Sequence, residues 1–155
     1  MLQLGFVGAG TVGTALAAQL SSRGYPVVAV SSRSQVSARR LAEAISHCRV
    51  FDDNQKVVDN ADMVFITTPD DVIAPVVAQL RWHDGQSVVH CSGAESTEVL
   101  LPARRMGAQV GAFHPLQTFA SAEQAMKNIP GSTFAIEAEG WLLDILKDMA
   151  TALDG

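Results

Sequence analysis

The hydrophobic positions of this chain follow two alternating patterns. Short continuous apolar runs, such as residues 27–30, are typical of strands buried on both faces of a sheet. Longer segments between them carry one apolar residue per helical turn, as at Val12, Leu16 and Leu20, which is typical of amphipathic helices. Strands are predicted for the run ending at Val7 and for residues 27–30, 49–51, 62–67, 86–90, 109–113 and 132–137. This alternation predicts an α/β fold with a doubly wound, mostly parallel sheet and helices on both faces.

The last predicted helix is strongly amphipathic. Its apolar face is formed by Trp141, Leu142, Ile145, Leu146, Met149 and Leu153. Such a stripe either packs on the sheet of its own domain or, where nothing covers it, forms a contact surface. We expect this helix to form at least part of an interface in the parent protein.

The first apolar run ends in the pattern Gly-x-Gly-x-x-Gly, and a helix is predicted to begin within it. Gly8 allows a tight turn, Gly10 lets the backbone approach a pyrophosphate, and Gly13 lets the helix lie close to the strand. The first-turn amides of the helix then face the phosphates with the positive end of the helix dipole. The pattern predicts a dinucleotide site formed by Gly8, Ala9, Gly10, Thr11, Val12 and Gly13.

The second predicted strand ends in Ser31-Ser32-Arg33-Ser34. In NAD-specific domains an acidic residue at this position, roughly 20 residues after the glycines, holds the ribose hydroxyls. A carboxylate would repel a 2′-phosphate, whereas serine hydroxyls and a guanidinium bind one. Ser31, Ser32 and Arg33 therefore predict NADP(H) rather than NAD(H) as the cofactor. The alternative is an ordinary loop in which Ser34 caps the next helix.

Polar residues also follow three later strands. Because the carboxyl ends of the strands border the crevice of a doubly wound sheet, Thr67, Thr68 and Pro69 are expected to line the path of the cofactor. Pro69 also has the structural role of ending the strand. Ser92 and Gly93 are expected near the nicotinamide, and His114, directly after the sixth strand, is a candidate for substrate contact.

Composition and charge narrow the function classes. With 155 residues, 48% of them hydrophobic, the chain is expected to form one domain over residues 1–155. The net charge of −5 and the lack of a basic run argue against a nucleic-acid partner. No apolar segment has the length of a membrane span, and the apolar N-terminus lacks the basic region and the small-residue cleavage site typical of a signal peptide. These features predict no membrane partner and a cytoplasmic protein. Cys48 and Cys91 lie far apart in the sequence, so no metal site is predicted.

Five motifs mark the ends of the first, second, fourth, fifth and sixth predicted strands: Gly-Ala-Gly-Thr-Val-Gly, Ser-Ser-Arg-Ser, Thr-Thr-Pro-Asp-Asp, His-Cys-Ser-Gly-Ala and Gly-Ala-Phe-His-Pro-Leu-Gln-Thr-Phe. Together they resemble the Rossmann-like NADP oxidoreductases of uncharacterised function, which are relatives of pyrroline-5-carboxylate reductase and of the deazaflavin-dependent NADP oxidoreductases. The resemblance covers essentially the whole chain. It implies a Rossmann fold, and it implies a C-terminal helical domain, absent from this chain, that forms a homodimer and completes the active site.

The His-Pro motif after the sixth strand also resembles that of prephenate dehydrogenases. The resemblance implies that His114 is a catalytic residue that accepts a hydrogen bond from a substrate hydroxyl. A neutral imidazole, with an ordinary pKa of about 6.5, can take a proton as a hydride departs. The alternative is that His114 anchors the loop before Pro115. Gln117 and Ser92 are further candidates for contact with the substrate or the nicotinamide carboxamide, and Gly93 for contact with the substrate.

The function predicted from these features is that of an NADP(H)-binding domain of an oxidoreductase, which transfers a hydride between NADP(H) and an unidentified small-molecule substrate. The alternative from another class is a non-catalytic NADP(H)-binding sensor or regulatory module. Within the enzymes, an imine reductase, a prephenate-type dehydrogenase and a deazaflavin-linked reductase all remain open.

Overall fold

The structure is a computed structural model that describes residues 2–116 and 121–154. Strands and helices alternate as the hydrophobic pattern predicts. In chain order they are β1 (Leu4–Val7), α1 (Thr11–Ser22), β2 (Val27–Ser31), α2 (Gln35–Glu43), β3 (Arg49–Phe51), α3 (Asn54–Asp59), β4 (Met63–Ile66), α4 (Asp70–Gln79), β5 (Ser87–His90), a 3₁₀ turn (Thr97–Leu100), α5 (Leu101–Arg105), β6 (Gln109–Pro115), α6 (Ala122–Asn128), β7 (Phe134–Glu137) and α7 (Gly140–Asp154).

The strands form one seven-stranded sheet in the order β3-β2-β1-β4-β5-β6-β7. Neighbouring strands from β3 to β6 are parallel, and β7 pairs antiparallel with β6. The predicted α/β fold with a doubly wound, mostly parallel sheet is confirmed. The strand order reverses between β1 and β4, where Val7 lies opposite both Ser31 and Ile66. The loops after β1, β2 and β4 therefore leave the sheet at the same edge, which is where such folds bind ligands.

The sheet is buried on both faces, which explains the continuous apolar runs. Every residue of β1 and β4 is buried, and the Phe6 and Phe65 rings are stacked with their centroids 4.9 Å apart. On that face they join Leu16 and other residues of α1, α6 and α7, whereas Val64 packs on the other face among residues of α3 and α4. The two hydrophobic clusters fix the strand ends that carry the loops.

The apolar stripe of α7 is covered by the chain itself. Leu142, Leu146, Met149 and Leu153 are all fully buried in the same cluster as β1. The expectation that this stripe forms an interface is wrong for these four residues, because they face the sheet of their own chain. Trp141, at the start of the helix, is 40% exposed.

The observed strand boundaries lie within two residues of the predicted ones, and the difference at β6 has a clear cause. β6 continues to Pro115 instead of ending at Phe113, because β7 pairs with residues 113–115 beyond the end of β5. A proline is tolerated in a strand with one neighbouring strand at that position. Between β5 and β6 a 3₁₀ turn is followed directly by α5. Pro102 stands in the first turn of α5, where its ring and missing N–H disfavour one continuous helix. In the described part of the chain, no helix has both the length and the apolar character needed to cross a membrane.

Candidate functional site

A cavity of about 630 Å³ opens at the carboxyl ends of β1, β2, β4 and β5. Most residues predicted to bind the cofactor meet in its wall, although they come from four separate loops. These are Gly8, Ala9, Gly10, Thr11, Val12, Ser32, Arg33, Thr67, Thr68, Pro69 and Ser92. Gly13, Ser31, Gly93 and His114 do not line this cavity, and Gln117 lies outside the described residues.

The glycine turn combines a strained position with an open one. Gly8 has a φ of +102°, and a Cβ there would lie 2.7 Å from the carbonyl carbon of Thr67, so both backbone conformation and space require glycine. A Cβ on Gly10 would meet no atom within 4 Å. Gly10 is the N-cap of α1 and supplies no side-chain cap, so the first-turn amides have no partner within the helix, and Thr11 and Val12 of that turn line the cavity. The protein itself leaves this space free, as a pyrophosphate would require.

Thr67 locks the loops after β1 and β4 together. Its hydroxyl donates a hydrogen bond of 2.9 Å to the carbonyl oxygen of Gly8, and its amide donates one of 2.9 Å to that of Val7. A Cβ on Gly13 would lie 3.0 Å from the Cβ of Thr67. Gly13 therefore allows α1 to approach the loop after β4, and its role is to support the cavity wall from behind.

At the end of β2, the cavity wall carries serine hydroxyls and a guanidinium. The amide of Ser34 donates to the hydroxyl oxygen of Ser32, and the amide of Ser37 donates to that of Ser34, both at 3.2 Å. Ser34 thus caps α2, as the alternative interpretation proposes, and also lines the cavity. Both hydroxyl oxygens act as acceptors of backbone amides in these bonds, which leaves each hydroxyl able to donate its own proton elsewhere. Arg33 is exposed and forms no ion pair with the described residues.

Ser31 acts through a neighbour instead of lining the cavity. It is 2% exposed, and its hydroxyl donates a hydrogen bond of 2.7 Å to Oδ1 of Asn54. Asn54 lines the cavity, and the bond leaves its Nδ2 protons available to a ligand. Sequence reasoning missed Asn54 and also Ser37. The available signal for Asn54 was its position: it is a polar residue just after the carboxyl end of β3.

At the end of β5, a buried histidine holds the backbone. His90 has no exposed surface, and its Nδ1 accepts a hydrogen bond of 3.0 Å from the amide of Ser92. Its Nε2 lies 3.0 Å from the carbonyl oxygen of Ser96, and since a carbonyl only accepts, Nε2 carries the proton. The imidazole is therefore neutral. Burial lowers the pKa of His90 below its ordinary value, which favours the same form.

His114 contacts the backbone of the same loop. Its Nδ1 donates to the carbonyl oxygen of Cys91 at 3.0 Å, which leaves Nε2 as the acceptor nitrogen. A Cβ on Gly93 would lie 2.8 Å from Cδ2 and Cε1 of the His114 ring, so the ring packs directly against this glycine. The structure brings Gly93 and His114 together, next to the cavity wall formed by Cys91 and Ser92.

Burial raises the pKa of the Cys91 thiol to about 12, so the cavity wall carries a neutral thiol there. Within residues 2–116 and 121–154, no group of three or more histidine, cysteine, aspartate or glutamate side chains could hold a metal ion.

Three solved structures share this architecture over nearly the whole chain. A provisionally assigned NADP oxidoreductase from Bacteroides fragilis is 26% identical with a TM-score of 0.84, and the match covers 98% of this chain and 57% of that protein. An imine reductase from Pseudomonas sp. is 17% identical, with a TM-score of 0.79 and coverages of 99% and 53%. Prephenate dehydrogenase from Aquifex aeolicus, in complex with hydroxyphenyl propionate and NAD⁺, is 15% identical, with a TM-score of 0.80 and coverages of 99% and 57%.

The chain thus spans little more than half the length of these relatives. The imine reductase and the prephenate dehydrogenase, at 17% and 15% identity, share only the fold with this chain. No curated protein sequence matches the chain. The resemblance noted from the motifs is confirmed, since an NADP oxidoreductase, an imine reductase and a prephenate dehydrogenase are among the structural relatives. The sequence profile of the Rossmann-like domain family matches residues 1–115, which is well over half of the sequence, and the chain belongs to that family.

Proposed function

We propose that the chain is the NADP(H)-binding domain of an oxidoreductase that transfers a hydride between NADP(H) and an unidentified small-molecule substrate. One observation carries the proposal: a single cavity joins the uncapped start of α1 to a wall of serine hydroxyls and a guanidinium. Its volume of about 630 Å³ is in the range of small-molecule sites. The name of the Bacteroides fragilis relative supports the same cofactor and reaction class.

The pyrophosphate would lie at the start of α1. Thr11 and Val12 line the cavity there with first-turn amides that have no partner within the helix, and Gly10 presents no side chain that would keep phosphate oxygens away. The helix dipole adds partial positive charge at this end. The Thr67 hydroxyl fixes the Gly8 turn, so these amides are oriented before a ligand arrives.

The 2′-phosphate would lie at the end of β2. Arg33 is free to form charge-assisted hydrogen bonds, and the hydroxyls of Ser32 and Ser37 add donors. From residue 31 to residue 37 this part of the wall carries no carboxylate. We assign Ser31 an indirect role, since it orients the Asn54 amide toward the adenosine part of the cofactor.

The nicotinamide would lie near Thr67, Thr68, Pro69 and Ser92. When bound, NADPH supplies the hydride, and the protein positions the ring and the substrate. The Ser92 hydroxyl accepts the Ala94 amide at 3.1 Å and keeps its own proton for a carboxamide or substrate oxygen. His114 would accept or return a substrate proton at Nε2, beside Gly93. The substrate would approach from this side, and Gln117 stays a candidate contact. A homodimer of the full-length protein is part of the same proposal.

Calorimetric titration with NADPH and NADH tests the cofactor assignment. The wild-type chain should bind NADPH more tightly. Arg33→Ala should weaken NADPH binding by about tenfold or more, because a charge-assisted bond to the phosphate is lost, and should leave NADH binding unchanged. Arg39→Ala is the matched control, since Arg39 is also an exposed arginine near the start of α2 but does not line the cavity. Equal affinity of the wild type for both nucleotides would refute the NADP(H) assignment.

A binding module without catalysis is the second candidate. The observation in its favour is that His114, the candidate proton acceptor, does not line the cavity and donates its Nδ1 proton to the backbone of Cys91. Turnover separates the two functions, because a sensor binds NADPH without consuming it. In a full-length active enzyme, His114→Ala should reduce kcat while the affinity for NADPH is kept, and unchanged turnover would leave His114 with an anchoring role alone.

A further inference from the structure

The segment from Cys91 to Ser96, which we call the β5 loop, forms one wall of the cavity through Cys91 and Ser92. It leaves the middle of the sheet, where His90 lies opposite Ile66 on one side and Ala112 on the other. A loop at such a position can point in several directions once the strand ends. What fixes its direction decides where Ser92 stands relative to the ligand.

His90 is well placed to fix it. The ring is completely buried, and a buried imidazole is costly unless both nitrogens form hydrogen bonds. Both partners belong to the β5 loop itself: Nδ1 accepts the Ser92 amide and Nε2 donates to the Ser96 carbonyl, each at 3.0 Å. The ring therefore connects the start of the loop to its end.

We propose that His90 is a positioning residue for the cofactor, which holds the β5 loop so that Ser92 forms part of the cavity wall. This inference rests on the proposed function for its ligand, but the loop geometry stands independently of it. An apolar side chain would fill the same core volume without the cost of burying two polar nitrogens. The polar ring is explained by the two loop bonds, which no hydrocarbon side chain can form.

The remaining contacts of the loop agree with this role. The Cys91 carbonyl accepts the Nδ1 proton of His114, and the Ala94 amide donates to the Ser92 hydroxyl oxygen. These bonds restrain the loop from the β6 side and from within. Nδ1 of His90 accepts the hydrogen bond from the Ser92 amide, and removing this acceptor should release Ser92 before the other residues of the β5 loop.

Two substitutions separate the two nitrogens of the ring. His90→Asn places an amide oxygen where Nδ1 stands and keeps an acceptor for the Ser92 amide. His90→Gln reaches to the position of Nε2 and loses that acceptor. His83→Asn is the control, since His83 is an exposed histidine, paired with Asp59, on the surface. Circular dichroism checks that each variant is folded.

Hydrogen exchange of the Ser92 amide, measured by NMR on the cofactor-free chain, is the direct readout. We expect exchange about tenfold faster or more in His90→Gln and close to wild type in His90→Asn and His83→Asn. The Phe65 amide in β4 should be unaffected in all three variants. Equal Ser92 exchange in His90→Gln and wild type would overturn the proposal. If His90→Gln does not fold, the ¹⁵N shifts of wild-type His90 decide instead: a proton on Nδ1 at neutral pH would overturn it.

Calorimetry with NADPH then tests the link to the cofactor. The dissociation constant for NADPH should rise about fivefold in His90→Gln, because Ser92 is no longer held where its hydroxyl can donate a hydrogen bond to the cofactor. It should return to the wild-type value in His90→Asn. Faster Ser92 exchange with unchanged affinity would overturn the link. If the wild type binds no NADPH, the proposed function fails, and the exchange data still decide whether His90 holds the loop.

Discussion

The two ends of the cavity are built in opposite ways. At the β2 end, Arg33 and Ser34 are exposed, and the Arg33 guanidinium has no ion-pair partner in the described structure. At the β5 end, His90 is fully buried, and both of its nitrogens are bonded to the loop that forms the wall. The first end can adapt to a ligand, whereas the second end is set by folding. Under the proposed function, charge recognition would belong to the β2 end and orientation of the ligand to the β5 end.

The largest effect on stability is expected at the β5 end, from Gly93→Ala. The new Cβ would lie 2.8 Å from two atoms of the His114 ring, which the Cys91 carbonyl holds in place. Such a clash costs about 1–3 kcal/mol, and the lower entropy of the unfolded chain returns about 0.4–1 kcal/mol. Urea unfolding should show a net loss of about 1–2 kcal/mol.

Two variants test the cause of that loss. Gly10→Ala is the matched control at the open turn, where a Cβ meets nothing, and it should change stability by less than about 1 kcal/mol while weakening NADPH binding. In a His114→Ala background, Gly93→Ala should cost almost nothing, because the clashing ring is gone. The same cost in both backgrounds would show that the His114 contact is not its origin.

Acid should lower the stability of the fold through the β5 end, where His90 is buried. The pKa of His90 is lowered in the folded chain, mainly by burial, although the hydrogen bond to the Ser96 carbonyl and the carboxylates of Glu137, Glu95 and Asp70 oppose the shift. The unfolded chain then binds the proton more readily, so this stability is present above a pH of about 6.5 and declines as the pH falls toward the folded pKa.

For one proton, the free energy of unfolding should fall by at most about 1.4 kcal/mol per pH unit in this window. Urea unfolding between pH 7.5 and 5 measures it, and His90→Asn should show a flatter profile at the same pH values. A wild-type profile parallel to that of His90→Asn would contradict the assignment to His90.

The smallest effect is expected at the β2 end, from Ser34→Ala. The substitution removes the acceptor for the Ser37 amide and should cost about 1 kcal/mol of stability. The substitution should also weaken the binding of NADPH more than that of NADH. Ser46→Ala, in the exposed segment beyond α2, is the control for a surface serine. If Ser34→Ala lowers the free energy of unfolding as much as Gly93→Ala does, the proposed contrast between the two ends of the cavity is wrong.

The parts of the molecule that the sequence predicted well depend on local patterns. The strand at Leu4–Val7 and the Gly8 turn follow from apolar runs and from the conformation that glycine allows. The roles of Ser31 and His90 depend on partners chosen by the fold: Asn54 is 23 residues from Ser31, and His90 meets Ser96 only because the loop turns back. Hydrophobic periodicity carries no information on such pairings.

The packing of α7 is a second case in which hydrophobic periodicity does not identify the partner surface. Its apolar stripe is evident from Leu142 to Leu153, but periodicity alone does not say which surface lies opposite. The structure shows that the sheet of the same chain covers it. The extension of β6 through His114 likewise depends on β7, which returns antiparallel to pair with it.

The cavity wall at Ser32 and the exposed Arg33 also affects how this chain can evolve. Its side chains stand outside both hydrophobic clusters, and their hydrogen bonds to the backbone are local: Ser32 accepts the Ser34 amide, and Ser34 next to it caps α2. Substitutions there alter the charge offered to a nucleotide while strands, turns and core stay as they are. Under the proposed function, cofactor preference would therefore be an adaptable trait, open to selection or to redesign at a few surface codons, separately from the inheritance of the fold.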